Sequence, residues 1–424
     1  MEGTPRPRVH FFVLMIASIG NAVVWGMSGF IQFHATKPAI QGGFGLGGLE
    51  IGLIFGISAV FTSISNILWG AASDRTNTRW GKRKPFMFLF PLLVTLTLWI
   101  SASVDVLFGV QAIFWALLIS WTMKSILHAG ANVPYTTVIP EVVPPEKRVA
   151  ISQLGAFVQG IGFALGAVVP TFLFQVSSAF SMPFAIAGAF MVMTYLASST
   201  AIPASSKPVS TVSALQAMRS TLRDRNFMRF EIAQFLWTLG LNIVIFVLPF
   251  IAQDVLGIVS ESIYGWFFLS FLGIAGVLLF GINYVLQKRH VEKKKALLFS
   301  LVLSAIALVF IGFIGTPAFG SIPILVQVYT IGSFIFAGLV GIFIFPYAIM
   351  MGLIDYDSGS EATYNGTNST VLGFAAIPAG PIGGLLVLNG YPWVGIICAL
   401  LFIVSIAVML KVNVPEHLFH KKEA

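Results

Sequence analysis

Twelve apolar runs divide this chain, at 9–31, 50–71, 86–104, 107–133, 150–175, 181–203, 228–252, 263–286, 296–314, 322–350, 368–388 and 391–411. Each is long enough to carry a helix through the roughly 30 Å of hydrocarbon in a bilayer. Of the 424 residues 57% are hydrophobic and only 9% are charged, whereas a water-facing globule carries about a quarter of its residues as charges. Hydrocarbon is therefore the solvent, and a backbone in hydrocarbon must satisfy its own polar groups within each segment, which selects α-helices. The expected fold class is an all-α membrane protein of twelve transmembrane helices, with a break in the tenth run near Pro346. Residues 9–31 follow Arg6 and Arg8 as a secretory leader would, but the run is too long and lacks a small-residue cleavage site, so it reads as the first span.

The cations set the expected orientation. With the N-terminus inside, the inner segments hold Arg6 and Arg8, the 2–3 loop, Lys147 and Arg148, a middle cluster from Lys207 to Arg229, Lys288 to Lys295, and the tail. Of the 24 Lys and Arg residues only Lys37 falls in an outer loop and only Lys124 in the interior of a span, as the positive-inside rule requires. Both termini are expected to be cytoplasmic in a multi-pass protein of the cell membrane. The net charge of +8 is then topology rather than a nucleic-acid footprint. The single Cys398 excludes an intrachain disulfide and a cysteine metal cluster. The acids Asp355, Asp357 and Glu361 share an inner loop with no histidine beside them, so neither a metal nor a cofactor is expected, and no catalytic residue of an enzyme is apparent. Two matches to the N-glycosylation pattern, at Asn365 and Asn368, fall on the inner side and are expected to be bare.

An internal repeat organises the runs. Trp69-Gly70 and Lys82-Arg83-Lys84 recur as Phe280-Gly281 and Lys293-Lys294-Lys295, with 12 residues from glycine to first lysine in both and an offset of 211, against a half-length of 212. The expected domains are a six-helix bundle at 1–203, a cytoplasmic connector at 204–227 and a second six-helix bundle at 228–424, related by pseudo-twofold symmetry and sufficient as a monomer. In such folds the solute site lies near the midplane and rocking gives alternating access. Chance similarity between lysine-rich inner loops is the competing account.

The 2–3 loop, Gly70-Ala-Ala-Ser-Asp74-Arg75-Thr-Asn-Thr-Arg79-Trp80-Gly81-Lys82-Arg83-Lys84-Pro85, resembles the signature of the major facilitator superfamily, and its form is similar to the glycoside–pentoside–hexuronide:cation symporters, most of all their sucrose-transporter-like branch. Two further stretches fit the same family. They are Asn132-Val-Pro134-Tyr135 through Pro140-Glu141 to Arg148, and Asp355-Tyr356 through Glu361 to Tyr364-Asn-Gly366. The resemblance spans essentially the whole chain and implies the major facilitator fold and secondary transport of a sugar or glycoside. It also implies gating roles for Asp74, Arg75, Arg79, Gly81, Lys82, Arg83, Glu141, Arg148, Asp355 and Glu361. Asp74 is placed to accept bonds from Arg75 or Arg79 and to latch the inner side; a plain topological anchor is the alternative.

Helical periodicity collects the polar residues into stripes. Asn21, Trp25, Ser28 and Gln32 share a face of span one, and Trp121, Lys124 or Ser125, His128, Asn132 and Tyr135 a face of span four. Glu231, Gln234, Thr238 and Asn242 form one stripe of span seven, Gln153 and Gln159 lie in span five, and Asn368 opens span eleven. Such faces are costly toward lipid and should line a wet interior. Asn21, Trp25, Trp121, Lys124, His128, Asn132, Gln153, Gln159, Gln234, Asn242 and Asn368 are the candidate solute contacts, an indole beside amides suiting a sugar whose C–H face stacks on the ring. Interhelical hydrogen bonding and tryptophan packing compete with that assignment.

Lys124 is the sharpest residue, a cation midway along span four with no acid deep in its half of the chain. It reads as an anchor for a carboxylate or phosphate, as a proton-coupling group, or as a lysine satisfied by carbonyls or by Glu231. His128 lies one turn away and titrates near neutrality in water. Against the family the chain departs at the coupling positions: the two acids of sodium-using members fall at Thr62 and Asn66, the acid that sugar-binding members carry near the end of span four falls at Asn132, and the proton-linked acid of the sucrose-transporter-like members falls at Lys124 or Ser125. Proton-coupled rather than sodium-coupled symport is therefore expected, with His128, Lys124 or Glu231 standing in as coupling residues for the missing acid; an uncoupled facilitator and a carrier of amphiphilic or anionic solutes are the alternatives.

Overall fold

The computed structural model describes residues 10–143, 145–176, 179–202, 223–288, 292–353 and 361–414. These residues form twelve long helices and, among the described residues, no strand: α1 Phe11–Thr36, α2 Gly48–Arg75, α3 Lys84–Ser101, α4 Ile113–Val142, α5 Pro145–Val176, α6 Met182–Thr200, α7 Arg225–Phe250, α8 Glu261–Lys288, α9 Lys293–Ile311, α10 Ile324–Leu353, α11 Glu361–Asn389 and α12 Tyr391–Leu410. Even α3, with 18 residues, is about 27 Å long at 1.5 Å per residue, close to the thickness of a bilayer core. Ten of the helices are long and apolar enough over described residues to cross a membrane.

Local chemistry sets the helix ends. Proline occupies the first turn of α3, α6 and α12, where its missing N–H removes nothing from the helix. Asp224 caps α7 by accepting from the backbone N–H groups of Asn226 at 2.9 Å and Phe227 at 3.0 Å. Two expectations need correction. The tenth helix is unbroken at Pro346, because a proline removes one backbone bond from a helix that its neighbours otherwise hold. The run at 107–133 does not match one helix: a single helical turn at Val104–Phe108 precedes Gly109, whose φ of 76° ends it, and α4 begins at Ile113 and continues to Val142, beyond the apolar run.

Contacts divide the chain into two units. The first comprises Met1–Leu46, Ile57–Ser210 and Val259–Trp266; the second comprises Gly47–Gly56, Thr211–Ile258 and Phe267–Ala424. In the first, α1 packs on α5 and α6, and α3 packs on α4 and α6. In the second, α7 packs on α11 and α12, and α9 packs on α10 and α12, so every pairing recurs six helices later. Each unit also takes one short segment from the other half of the sequence. The offset of 211 carries the segment 47–56 onto 258–267, which contains the segment 259–266 taken by the first unit.

Small residues seat the first of these segments. Gly48, Gly52 and Gly56 recur every four residues along the start of α2 and lie against α11, where a Cβ on Gly48 would come 3.4 Å from the Gly384 carbonyl and one on Gly56 2.9 Å from the Ile377 carbonyl. Backbones approach this closely only where side chains are absent. The second segment, at the start of α8, is seated in the first unit by aromatic and polar groups: Tyr264 stacks on Phe33 with ring centroids 4.3 Å apart, and Ser262 donates to the Thr171 carbonyl at 3.2 Å.

Candidate functional site

Helix α4 brings Trp121, Lys124 and His128 onto one face through spacings of three and four residues. All three are buried, with exposures of 4%, 9% and 8%. The Lys124 Nζ stands 3.8 Å from the centroid of the Trp121 ring, a cation–π contact at close range. Among the described residues no carboxylate lies within ion-pair distance of Lys124. Helix α1 supplies the facing groups: the Trp25 indole stands edge-on to the His128 ring, 6.1 Å between centroids at 76°, with 58% of the residue exposed. The His128 Nε2 and the Asn21 Oδ1 are both buried without a hydrogen-bond partner. A cation against an indole, an imidazole with an unpaired nitrogen and an exposed tryptophan are thus brought together, and α1 carries the unpaired Asn21 oxygen one turn from Trp25. Buried polar groups of this kind are normally paired, so the cluster is chemically fitted to receive a polar solute.

Tyr135 belongs to the α4 polar stripe in sequence but serves packing. Its hydroxyl donates to the Leu14 carbonyl at 3.1 Å and is 2.8 Å from the Ser18 Oγ, tying α4 to α1. Ser28 donates to the Val24 carbonyl at 3.1 Å within its own helix, and Gln32 is buried. Asn132 is half-buried and Gln159 exposed.

The second unit holds a separate polar cluster. Glu231 and Gln234 of α7 are 1% and 6% exposed. The Asn368 Nδ2 of α11 donates to Glu231 Oε1 at 3.0 Å, to its Oε2 at 3.3 Å, and to Gln234 Oε1 at 2.7 Å. Three residues placed separately in the sequence, one for coupling and two for solute contact, are therefore one hydrogen-bonded group. Asn242, further along α7, is half-buried.

In the 2–3 loop Arg83 is buried and donates to the Ser73 hydroxyl, Arg79 lies over the Trp80 ring at 5.2 Å, and Arg75 is exposed. Gly81 has a φ of 95°, and Thr78 donates to its carbonyl at 2.8 Å, so this glycine and the half-buried Lys82 shape a turn that a side chain at 81 would strain. The side chains of Asp74, Glu141, Arg148, Gln153 and Glu361, and the whole of Asp355, lie outside the described residues. On α2 the hydroxyl of Thr62 is bonded to the Ser58 carbonyl at 2.8 Å and Asn66 is half-buried.

One charged cluster escapes the sequence reading. Glu261, the first residue of α8 and outside the apolar run 263–286, receives Lys37 Nζ at 3.0 and 3.2 Å and meets His34 Nδ1 at 2.8 Å. The His34 ring is stacked on Phe180, 3.7 Å between centroids. Burial raises the Glu261 carboxyl, but the bonds from His34 and Lys37 outweigh it and bring it down to about 2. The only hint in the sequence is the three-residue spacing of His34 and Lys37.

Twelve bilayer-length helices, paired alike in two units and carrying buried polar clusters on α1, α4, α7 and α11, define a multi-pass membrane transporter fold. Residues 11–379 match the Major Facilitator Superfamily, and the chain belongs to that superfamily. An isoprimeverose transporter from Lactiplantibacillus pentosus is 24% identical over 137 residues, which are 32% of this chain and 27% of that protein. Among solved structures, the nucleoside transporter NupG superposes with a TM-score of 0.66 at 16% identity, covering 95% of this chain and 99% of its own. A bacterial homologue of the human lysosomal transporter Spinster, in an inward-facing and unoccupied conformation, superposes with a TM-score of 0.62 at 14% identity, covering 96% of both chains. These two likenesses show the fold.

Proposed function

We propose that the protein is a secondary transporter that moves a sugar or glycoside across the cell membrane by alternating access, as a monomer with both termini in the cytoplasm, in symport with protons rather than sodium. The observation that carries this reading is the grouping of Trp25, Trp121, Lys124 and His128 on α1 and α4, with the unpaired Asn21 oxygen one turn from Trp25 on α1. Indoles offer flat apolar faces to sugar C–H groups, and the unpaired nitrogen and oxygen atoms offer hydrogen bonds to hydroxyls. The partial likeness to an isoprimeverose transporter supports a sugar, and the motifs at 70–85, 132–148 and 355–366 support the glycoside–pentoside–hexuronide branch. Thr62 and Asn66 favour protons, since neither side chain brings a carboxylate to a sodium ion.

A second reading is supported by Lys124, whose charge no carboxylate balances among the described residues: an anionic solute would supply the missing charge. The test is uptake by purified protein in proteoliposomes, using D-xylose, D-glucose, sucrose, D-glucuronate and a lysophospholipid, at several pH values with and without sodium. Sugar uptake that rises with an inward proton gradient and ignores sodium is expected. Uptake of the lysophospholipid alone overturns the sugar assignment, and strict sodium dependence overturns the coupling assignment.

A further inference from the structure

The Glu231 carboxylate is almost fully enclosed, yet among the described residues no lysine, arginine or histidine lies within ion-pair distance of it. Its hydrogen-bond partner is the Asn368 amide, which spends one hydrogen on the two carboxylate oxygens and the other on Gln234 Oε1. From α12, which also packs on α7, the nearby bond is Ser405 Oγ to the Ala233 carbonyl at 2.9 Å, with no charge brought to Glu231. A metal cation asks for several oxygen donors around one point. Here Asn368 turns its nitrogen to the carboxylate and the Gln234 oxygen is already engaged, whereas a proton needs one carboxylate oxygen.

We propose that Glu231, Asn368 and Gln234 form a protonation-reading relay between α7 and α11, in which Glu231 takes the coupling proton and the two amides reverse in response. This rests on the proton-linked reading above. An ionised carboxylate only accepts hydrogen bonds, so Asn368 must face it with Nδ2, as observed. Once a proton from solution binds the oxygen nearest Asn368, that O–H becomes a donor and needs an acceptor. Rotation of the Asn368 amide by half a turn supplies Oδ1, whose second lone pair then accepts from Nε2 of a likewise reversed Gln234. Each of the three side chains keeps a partner within the group in both states, and the only covalent bond formed is the O–H of the carboxylic acid. Between them, the Asn368 group turned away from the triad changes from acceptor to donor. One proton therefore alters the hydrogen-bonding character that α11 presents.

Infrared difference spectra of the purified full-length protein between acidic and alkaline buffer test this without any sugar. A carboxylic acid band in the wild type should be absent from Glu231→Gln and still titrate in Glu231→Asp, each checked as monodisperse. Asn368→Leu and Gln234→Leu should move its midpoint by at least about half a pH unit, because the ionised and the protonated carboxyl lose unequal hydrogen bonding with them. A band that persists in Glu231→Gln, or that both leucine variants leave in place, overturns the relay and makes the triad interhelical adhesion. In proteoliposomes holding a pH-sensitive dye, proton entry per molecule of the best-transported sugar of the panel should fall at least about tenfold in Glu231→Gln. If proton entry is unchanged, the relay fails while proton-linked transport stands; if the wild type moves no sugar, the transport reading fails while the spectra still decide the triad.

Discussion

Lys124 and Tyr135 stand eleven residues apart on one helix and resolve in opposite ways. Lys124 has its charge against the Trp121 ring with no acid to neutralise it, so its removal should act on solute choice. In Lys124→Ala, uptake of D-glucuronate relative to D-glucose should drop about tenfold, the size expected for one lost charged contact; equal handling of both sugars by wild type and variant would remove the anion-anchor role. Tyr135 instead spends its hydroxyl on Ser18 and the Leu14 carbonyl. Tyr135→Phe should cost about 1 kcal/mol, seen as a lower unfolding temperature in detergent, with sugar preference unchanged. The grouping of Trp121, Lys124 and His128 was legible because helical spacing alone puts them on one face. That Tyr135 turns to α1 was not, since periodicity orders residues around one helix and is silent on which neighbour covers each arc.

Two helix starts illustrate how an element is held in place, one by the absence of side chains and one by charge. At the start of α2, Gly56→Val would push atoms into the Ile377 carbonyl and the Pro381 ring, each 2.9 Å from the position of a Cβ. Overpacking of this kind costs about 1–3 kcal/mol, and a fall in unfolding temperature larger than that of Gly160→Val, at a helical site with nothing within 4 Å of a Cβ, is the expected result. At the start of α8 the carboxyl of Glu261 is lowered from 4.5 to about 2, so its bonds stabilise the fold fully above about pH 4.5 and progressively less as the pH falls through 2. Unfolding temperature measured downward from pH 6 should decline more steeply in the wild type than in Glu261→Gln; parallel curves would show that the cluster carries no such stability. Neither device was legible as a contact, because Gly56 meets α11 and Lys37 meets α8 across more than two hundred residues. The helices themselves were legible from apolar run length, except where Gly109 splits one run and α4 outlasts it.

For the molecule as a whole, duplication is the organising fact, and the glycine-to-lysine spacing repeated at an offset of 211 signalled it before any helix was placed. The four packing pairs of the first unit return six helices later in the second. Among the described residues the Glu231, Gln234 and Asn368 group has no like counterpart on α1 and α5, six helices earlier, where Trp25 faces α4 instead. Copies that keep their scaffold and diverge in their polar residues can bind different things, which is why composition revealed the architecture and left the solute open. The reciprocal loan of 47–56 and 259–266 bears on how such a chain arises and matures. An ancestral single copy would have needed a twin to complete it, so gene fusion would preserve an existing dependence. During synthesis the early half must wait, its loaned helical segment unplaced, until the ribosome has delivered the later one.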